Sequence, residues 1–349
     1  MTVSAPSAPT AVIATGAYTS ASRGRGRGVT LWALDRADLT MRELATVELE
    51  DPSFLLWSED GTLLHVVQET SPTRLTTLRV AADGAGAEVL GDLELTGSGG
   101  CHAAPGLREG TLVVTDYASG HVEVVRLDEE GRPVAVLDVC DQDSYRPARE
   151  GHPHQAVVLP GTELLAVSDL GMDRVYLYKQ DPAGTIDLTG EISAPRFSGP
   201  RHLAADHESR TVYVACELSG QIGDFTRIEA TAEQPGPVFS AGRPLRASGR
   251  DGENRPSHIE VSRHENHLFV ANRGPNTISA FSLGMMRPEL VSEIEVGAEP
   301  RHFARVAELM LVAAQEGDRI DVLRWDGMRL GRAADPVPAP SVACIAPRP

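Results

Sequence analysis

The strongest constraint on the fold of this chain is a sequence unit that recurs six times. In each copy a Pro or Gly turn leads into a short apolar run, a second apolar run follows a turn, and an alternating run comes after a polar kink. The clearest copies pair Pro200-Arg201-His202-Leu203 with Thr211-Val212-Tyr213-Val214-Ala215-Cys216-Glu217, Pro256-Ser257-His258-Ile259 with Leu268-Phe269-Val270-Ala271-Asn272-Arg273, and Pro300-Arg301-His302-Phe303 with Met310-Leu311-Val312-Ala313-Ala314-Gln315. Weaker copies begin at Pro52-Ser53-Phe54, Gly100-Cys101-His102 and Pro153-His154. The anchors lie 44 to 56 residues apart. That spacing suits four short antiparallel strands per unit, and units of this length are the mark of β-propeller blades.

Six anchors leave two orphan pieces. Ala11-Val12-Ile13-Ala14-Thr15-Gly16 and Gly28-Val29-Thr30-Leu31-Trp32 stand at the front, and Ser341-Val342-Ala343-Cys344-Ile345 at the back. Together they supply a seventh blade, with the C-terminal run innermost, so the ring closes and no sheet edge is left bare. The expectation is an all-β, seven-bladed β-propeller over 11–349 after a flexible segment, 1–10. Two tandem sandwiches would not carry one period from residue 52 to the last strand.

Composition agrees with many short strands: 33 Gly and 24 Pro among 349 residues force frequent turns, while 41% hydrophobic residues suffice for a core. A net charge of −17 disfavours nucleic acid and anionic membrane as partners. The chain has no run of about 18 apolar residues, and Met1 to Ala11 lacks the order of a signal peptide, so a cytoplasmic location is expected. Cys101, Cys140, Cys216 and Cys344 form no CxxC pair and read as reduced, mostly buried thiols.

The repeat also separates scaffold from site. Within a blade the first strand starts where the second ends, so the anchors and the second-strand ends meet on one face near the axis. The second-strand ends read Glu69, Tyr117, Leu170, Glu217, Arg273 and Gln315, a column that changes chemistry in every blade and therefore does not serve the repeat. The third anchor column reads Phe54, His102, His154, His202, His258 and His302, which suggests a device of the scaffold.

The ordered motifs His152-Pro153-His154, Asp169-Leu170-Gly171 with Asp173-Arg174-Val175, Gly199-Pro200-Arg201-His202, Cys216-Glu217-Leu218, Arg255-Pro256-Ser257, Ala271-Asn272-Arg273-Gly274 and Pro300-Arg301-His302-Phe303 resemble the lactonase-type seven-bladed propellers. That family contains bacterial 6-phosphogluconolactonase and the fungal carboxy-cis,cis-muconate lactonizing enzyme. The resemblance runs from about Ala11 to Ile345 and implies a catalytic set of His154, Arg201, Glu217 and Arg273. The chain departs from the family at Gln68-Glu69, where Asn-Glu is common, at Asp116-Tyr117, where Asn-Tyr is common, and at Ala314, where Asn is common.

Lactone opening needs a base to activate water and donors for the oxyanion. Glu217 fits the base, with His154 as alternative base or as proton donor, and Arg201, Arg273 and Arg301 supply fixed positive charge. Arg301, His302, His202, His258, Glu69, Gln315 and His152 are expected to touch the substrate. The resemblance implies hydrolysis of 6-phosphogluconolactone in the pentose phosphate pathway by a monomer or homodimer. Muconate lactonization and a non-catalytic binding platform are the alternatives. The partner is an anionic sugar lactone. His152 and His154 form an H-x-H pair able to ligate zinc, but no carboxylate cluster accompanies it, so neither metal nor cofactor is expected. The run Arg23-Gly24-Arg25-Gly26-Arg27-Gly28 reads as a mobile loop before a strand.

Overall fold

A computed structural model of the chain describes residues 10–229, 236–262, 264, 266–284 and 287–349. Residues 1–9 of the segment expected to precede the fold lie outside the described residues. Seven antiparallel sheets follow one another, and in all but the first a meander starts at the axis and ends at the rim. Blades 2 to 7 begin with the strands Pro52–Trp57, Gly100–Pro105, Pro153–Val158, Pro200–Ala205, Arg255–Val261 and Pro300–Val306. Blade 1 takes Ala11–Ala17, Val29–Leu34 and Met41–Val47 from one end of the chain and its inner strand, Val342–Pro347, from the other. The ring therefore closes as the orphan pieces predicted.

Position in the ring explains which side chains each strand carries. An inner strand is covered on both faces, and Gly100–Pro105 is buried everywhere but at its last residue. An outer strand has one wet face, and no residue of Ala87–Glu94 is fully buried. Seven apolar clusters form, and each joins two neighbouring blades. Val67 and Leu75 of blade 2 meet Ala103, Leu112 and Val114 of blade 3. The circle is completed where Ile13, Trp32, Leu34 and Ile345 of blade 1 pack on Leu311, Ala313 and Ile320 of blade 7. Side chains of this size stabilise by about 1.5–3 kcal/mol each when fully buried, before chain entropy is subtracted. One continuous belt of interfaces is incompatible with two sandwiches.

The inner strands share an irregularity that aims the site. Their pairing with the second strand slips by one residue between Pro52 and Phe54, Gly100 and His102, Pro153 and Gln155, Pro200 and His202, and Pro300 and His302. Such a bulge takes one residue out of the ladder and re-aims its side chain. The residues set free are Ser53, Cys101, His154, Arg201 and Arg301. His154 thus leaves the histidine column to which its spacing assigned it. Gln155 holds that position in blade 4, and His154 stands level with Arg201 and Arg301.

Candidate active site

Around the axis, at the face where inner strands start, the bulged residues meet the residues that follow each second strand. The latter are held by a repeated backbone bond: the N–H groups of Glu69, Tyr117, Leu170, Glu217 and Gln315 donate to the carbonyls of Asp51, Gly99, His152, Gly199 and Glu299 at 2.8–3.0 Å. Tyr18 N donates to Ser341 O in the same way at 3.1 Å. Tyr18 is therefore the seventh member of the column, and the sequence reading missed it by ending the first strand at Gly16.

Two ionic groups face each other across this cup. In the first, Glu217 Oε2 lies 3.0 Å from Arg201 Nε and 2.6 Å from Arg273 Nη2. The contact with Arg273 is a close ion pair. Arg201 is fixed from behind by its Nη1, which donates to Ser257 O at 2.5 Å. Burial alone would raise the pKa of Glu217, but Arg273 and Arg201 outweigh it and keep the carboxyl below its usual range.

In the second group, Glu69 accepts from Tyr18 Oη at 2.6 Å and pairs with Arg23 Nη1 at 2.8 Å, while Arg301 Nη2 stands 3.9 Å away. The guanidinium carbons of Arg301 and Arg23 lie 5.3 and 5.8 Å from the centre of the Tyr18 ring. Burial pushes the Tyr18 hydroxyl up, so it remains protonated. Arg23 belongs to the Arg-Gly run, which these contacts join to the cup.

The histidines form the floor. Ring contacts run Phe54 to His102, His102 to His202, His202 to His258, His258 to His302 and His302 back to Phe54, with centroids 3.8 to 5.9 Å apart. Burial holds His102, His154, His202 and His302 well below the usual 6.5, and Arg201 pushes each further the same way. Those four rings are neutral at pH 7. His202 and His258 are joined Nδ1 to Nδ1 at 2.9 Å, and His258 Nε2 lies 3.5 Å from Glu260, which opens on a 680 Å³ cavity at the other end of the inner strands. His202, His258 and His302, expected at the substrate, thus engage one another beneath the cup.

His154 lies at the cup's edge. Its ring stands edge-on to Tyr117 and to His202, and its Nδ1 is buried without a partner. His152 is stacked on Tyr117 at 4.5 Å and its Nδ1 bonds the Tyr117 carbonyl at 2.9 Å. Among the described residues no group of three or more His, Cys, Asp or Glu could hold a metal ion, so the H-x-H pair gains no further ligand. Gln315 is tied to its chain neighbour, donating to Glu316 Oε1 at 3.3 Å.

Behind Tyr117 lies a stored electrostatic cost. Asp116 is fully buried and both its oxygens lack an aligned partner. Burial, reinforced by Glu123 on the next strand, pushes its carboxyl up to about 8. The folded pKa exceeds the usual 3.8, so the native state holds its proton more tightly than the unfolded chain and loses stability as pH rises between these values. Asp116→Asn removes the ionisable group and adds a donor facing Glu123. The variant is expected to melt higher than wild type by on the order of 1–3 kcal/mol, with a gain that grows from pH 5 to about 8. Thermal melts across that range check it, and a pH-independent difference or a loss would contradict this account.

Fold and site together define a propeller with an arginine-rich cup on its axis. Comparison with known proteins agrees. The chain matches the family described as "Lactonase, 7-bladed beta-propeller" over residues 12–347, and it belongs to that family. It is 24% identical over 319 residues to the 6-phosphogluconolactonase of Bacillus subtilis, covering 86% of this chain and 87% of that protein. Its fold superposes on the periplasmic gluconolactonase of Pseudomonas aeruginosa with a TM-score of 0.87 at 24% identity, over 98% and 99% of the two chains. A Lactobacillus plantarum protein gives 0.86 at 21%, over 97% and 99%.

Proposed function

We propose that the chain is a metal-independent lactone hydrolase acting on a phosphorylated sugar lactone, with 6-phosphogluconolactone as the leading substrate. The observation that carries this reading is the charge of the cup. Four guanidiniums, Arg23, Arg201, Arg273 and Arg301, meet three carboxylates, Glu69, Glu217 and Asp51, the last 4.0 Å from Arg23, so a surplus of one positive charge sits over a largely neutral floor. On a protein of net charge −17, that is where a dianion would bind. The names of the Bacillus and Pseudomonas proteins agree with a sugar lactone.

The chemistry follows from the groups present. Glu217, ionised at neutral pH, accepts a proton as water adds to the lactone carbonyl. Arg273 and Arg201 donate to the oxyanion, and one such donor is typically worth about 2.7–4 kcal/mol. The ring C–O bond then breaks and the leaving oxygen takes the proton that Glu217 accepted from water, since His154, neutral at pH 7, has no acidic proton to give. The same quartet would serve ring closure on a muconate, which product analysis separates from hydrolysis. A cytoplasmic location in the pentose phosphate pathway accords with this substrate.

Turnover on phosphorylated and unphosphorylated gluconolactone, with and without chelator, tests the proposal. Hydrolysis indifferent to chelator is expected. The pH profile should show no inflection near 6.5, because His154 is already neutral there. Activity should fall only below 4.5, where Glu217 becomes protonated. No turnover of either lactone overturns the reading, and a limb centred near 6.5 removes the assigned protonation states.

A further inference from the structure

The Arg-Gly run is unexplained by the reaction, and its geometry is specific. A Cβ on Gly24 would come within 2.6 Å of Tyr18 O and 2.7 Å of Ser341, and one on Gly26 within 2.5 Å of Ala17 Cβ and 2.8 Å of Tyr18 O. The glycines thus let the segment lie flat on the closing blade, with Gly26 N donating to Tyr18 O at 2.7 Å and Arg25 N to Ser341 Oγ at 3.1 Å. The arginines take three directions. Arg25 pairs with Asp318 of blade 7, Arg27 pairs with Glu43 of blade 1, and Arg23 reaches Glu69 in the cup. Side-chain exposure rises from 3% at Arg201 through 8% at Arg273 and 20% at Arg301 to 39% at Arg23. Arg23 is therefore the outermost of the four cup guanidiniums, and Arg201 the deepest.

We infer that Arg23 is a specificity-determining residue that reads a phosphate carried on the substrate's tail, while the Glu217 group handles the lactone ring; this rests on the lactone-hydrolase reading. Glu69 and Tyr18 hold Arg23 and Arg301 beside one another. A phosphate monoester reaching the mouth brings two negative charges and offers both guanidiniums oxygens in the geometry an arginine fork prefers. An unphosphorylated lactone makes no such contact.

Arg23→Gln tests the assignment. Its kcat/KM on the phosphorylated lactone is expected to fall by roughly 10- to 100-fold, carried by KM, with a loss at least tenfold smaller on the unphosphorylated lactone. Arg25→Gln, which loses only the pair with Asp318, should keep the wild-type preference. Equal loss on both lactones, or none on either, overturns the assignment and leaves the lactone-hydrolase reading intact. Calorimetry with inorganic phosphate gives a readout independent of turnover: affinity should drop about tenfold in Arg23→Gln. Unchanged affinity overturns the role of Arg23 whatever the chain hydrolyses, and a wild type inactive on both lactones overturns the hydrolase reading alone.

Discussion

Glu217→Gln is expected to lower kcat/KM on a sugar lactone by roughly 10²–10⁴-fold, the range that a positioned base contributes. The loss should appear in kcat, because the substitution removes the proposed proton acceptor and leaves the guanidiniums proposed to bind the anion. It also leaves the nearly buried Arg201 and Arg273 without their counter-charge, so some loss of melting temperature will accompany it. Phosphate binding separates the two effects. The cup's surplus of positive charge rises by one in this variant, so phosphate affinity should hold or increase, whereas an unfolding variant would lose it. Arg273→Ala should lose turnover, while its phosphate affinity, lowered only by the loss of one cup charge, should fall less than in Arg23→Gln. Wild-type rates in either variant would remove the site.

These expectations depend on how the ring gathers residues distant in sequence, and that gathering was partly readable beforehand. The period of the anchors and the orphan strands sufficed for seven blades and for closure by both chain ends, because each blade must repeat the same apolar inner and second strands. Glu217 and Arg273 stood out as second-strand ends whose chemistry changes from blade to blade, Arg201 and Arg301 stood in the repeated anchors, and the ring brings all four near the axis. The position of His154 was not. A bulge adds one residue to the inner strand, so a histidine next to Pro153 and histidines two places after Pro200 or Pro300 occupy different levels despite similar motifs. The Arg-Gly run was equally opaque, since its glycines answer to a carbonyl of Tyr18 and to Ser341, 316 residues away from Arg25. Local pattern carries no trace of such a contact.

The cup also depends on closure in a way that single blades do not reveal. Tyr18 and Arg23 come from blade 1, while Glu69 and Arg301 come from blades 2 and 7, so one ionic group straddles the seam. Anything that loosens the seam should therefore disturb Glu69 and its partners before it disturbs Glu217, whose arginines belong to blades 5 and 6.

Removing the chain after Pro340 makes this dependence measurable. The strand lost, Val342–Pro347, has its first five residues buried and supplies Ile345 to one inter-blade cluster and Cys344 to the other. Its absence would expose the edge of Ala11–Ala17 and leave Trp57 Nε1 without the Ala346 carbonyl it donates to at 2.9 Å. The truncated chain is expected to lose cooperative thermal unfolding and to aggregate. Ile345→Ala, a gentler lesion in the same strand, should cost about 2–5 kcal/mol while keeping the ring. In that variant phosphate binding should weaken at temperatures below the main melt, because the group holding Arg23 is anchored to Ser341 at the strand's start. Calorimetric unfolding beside phosphate titration decides it: a truncated chain that melts cooperatively at the wild-type temperature and still binds phosphate would show that the seam neither closes the ring nor supports the cup.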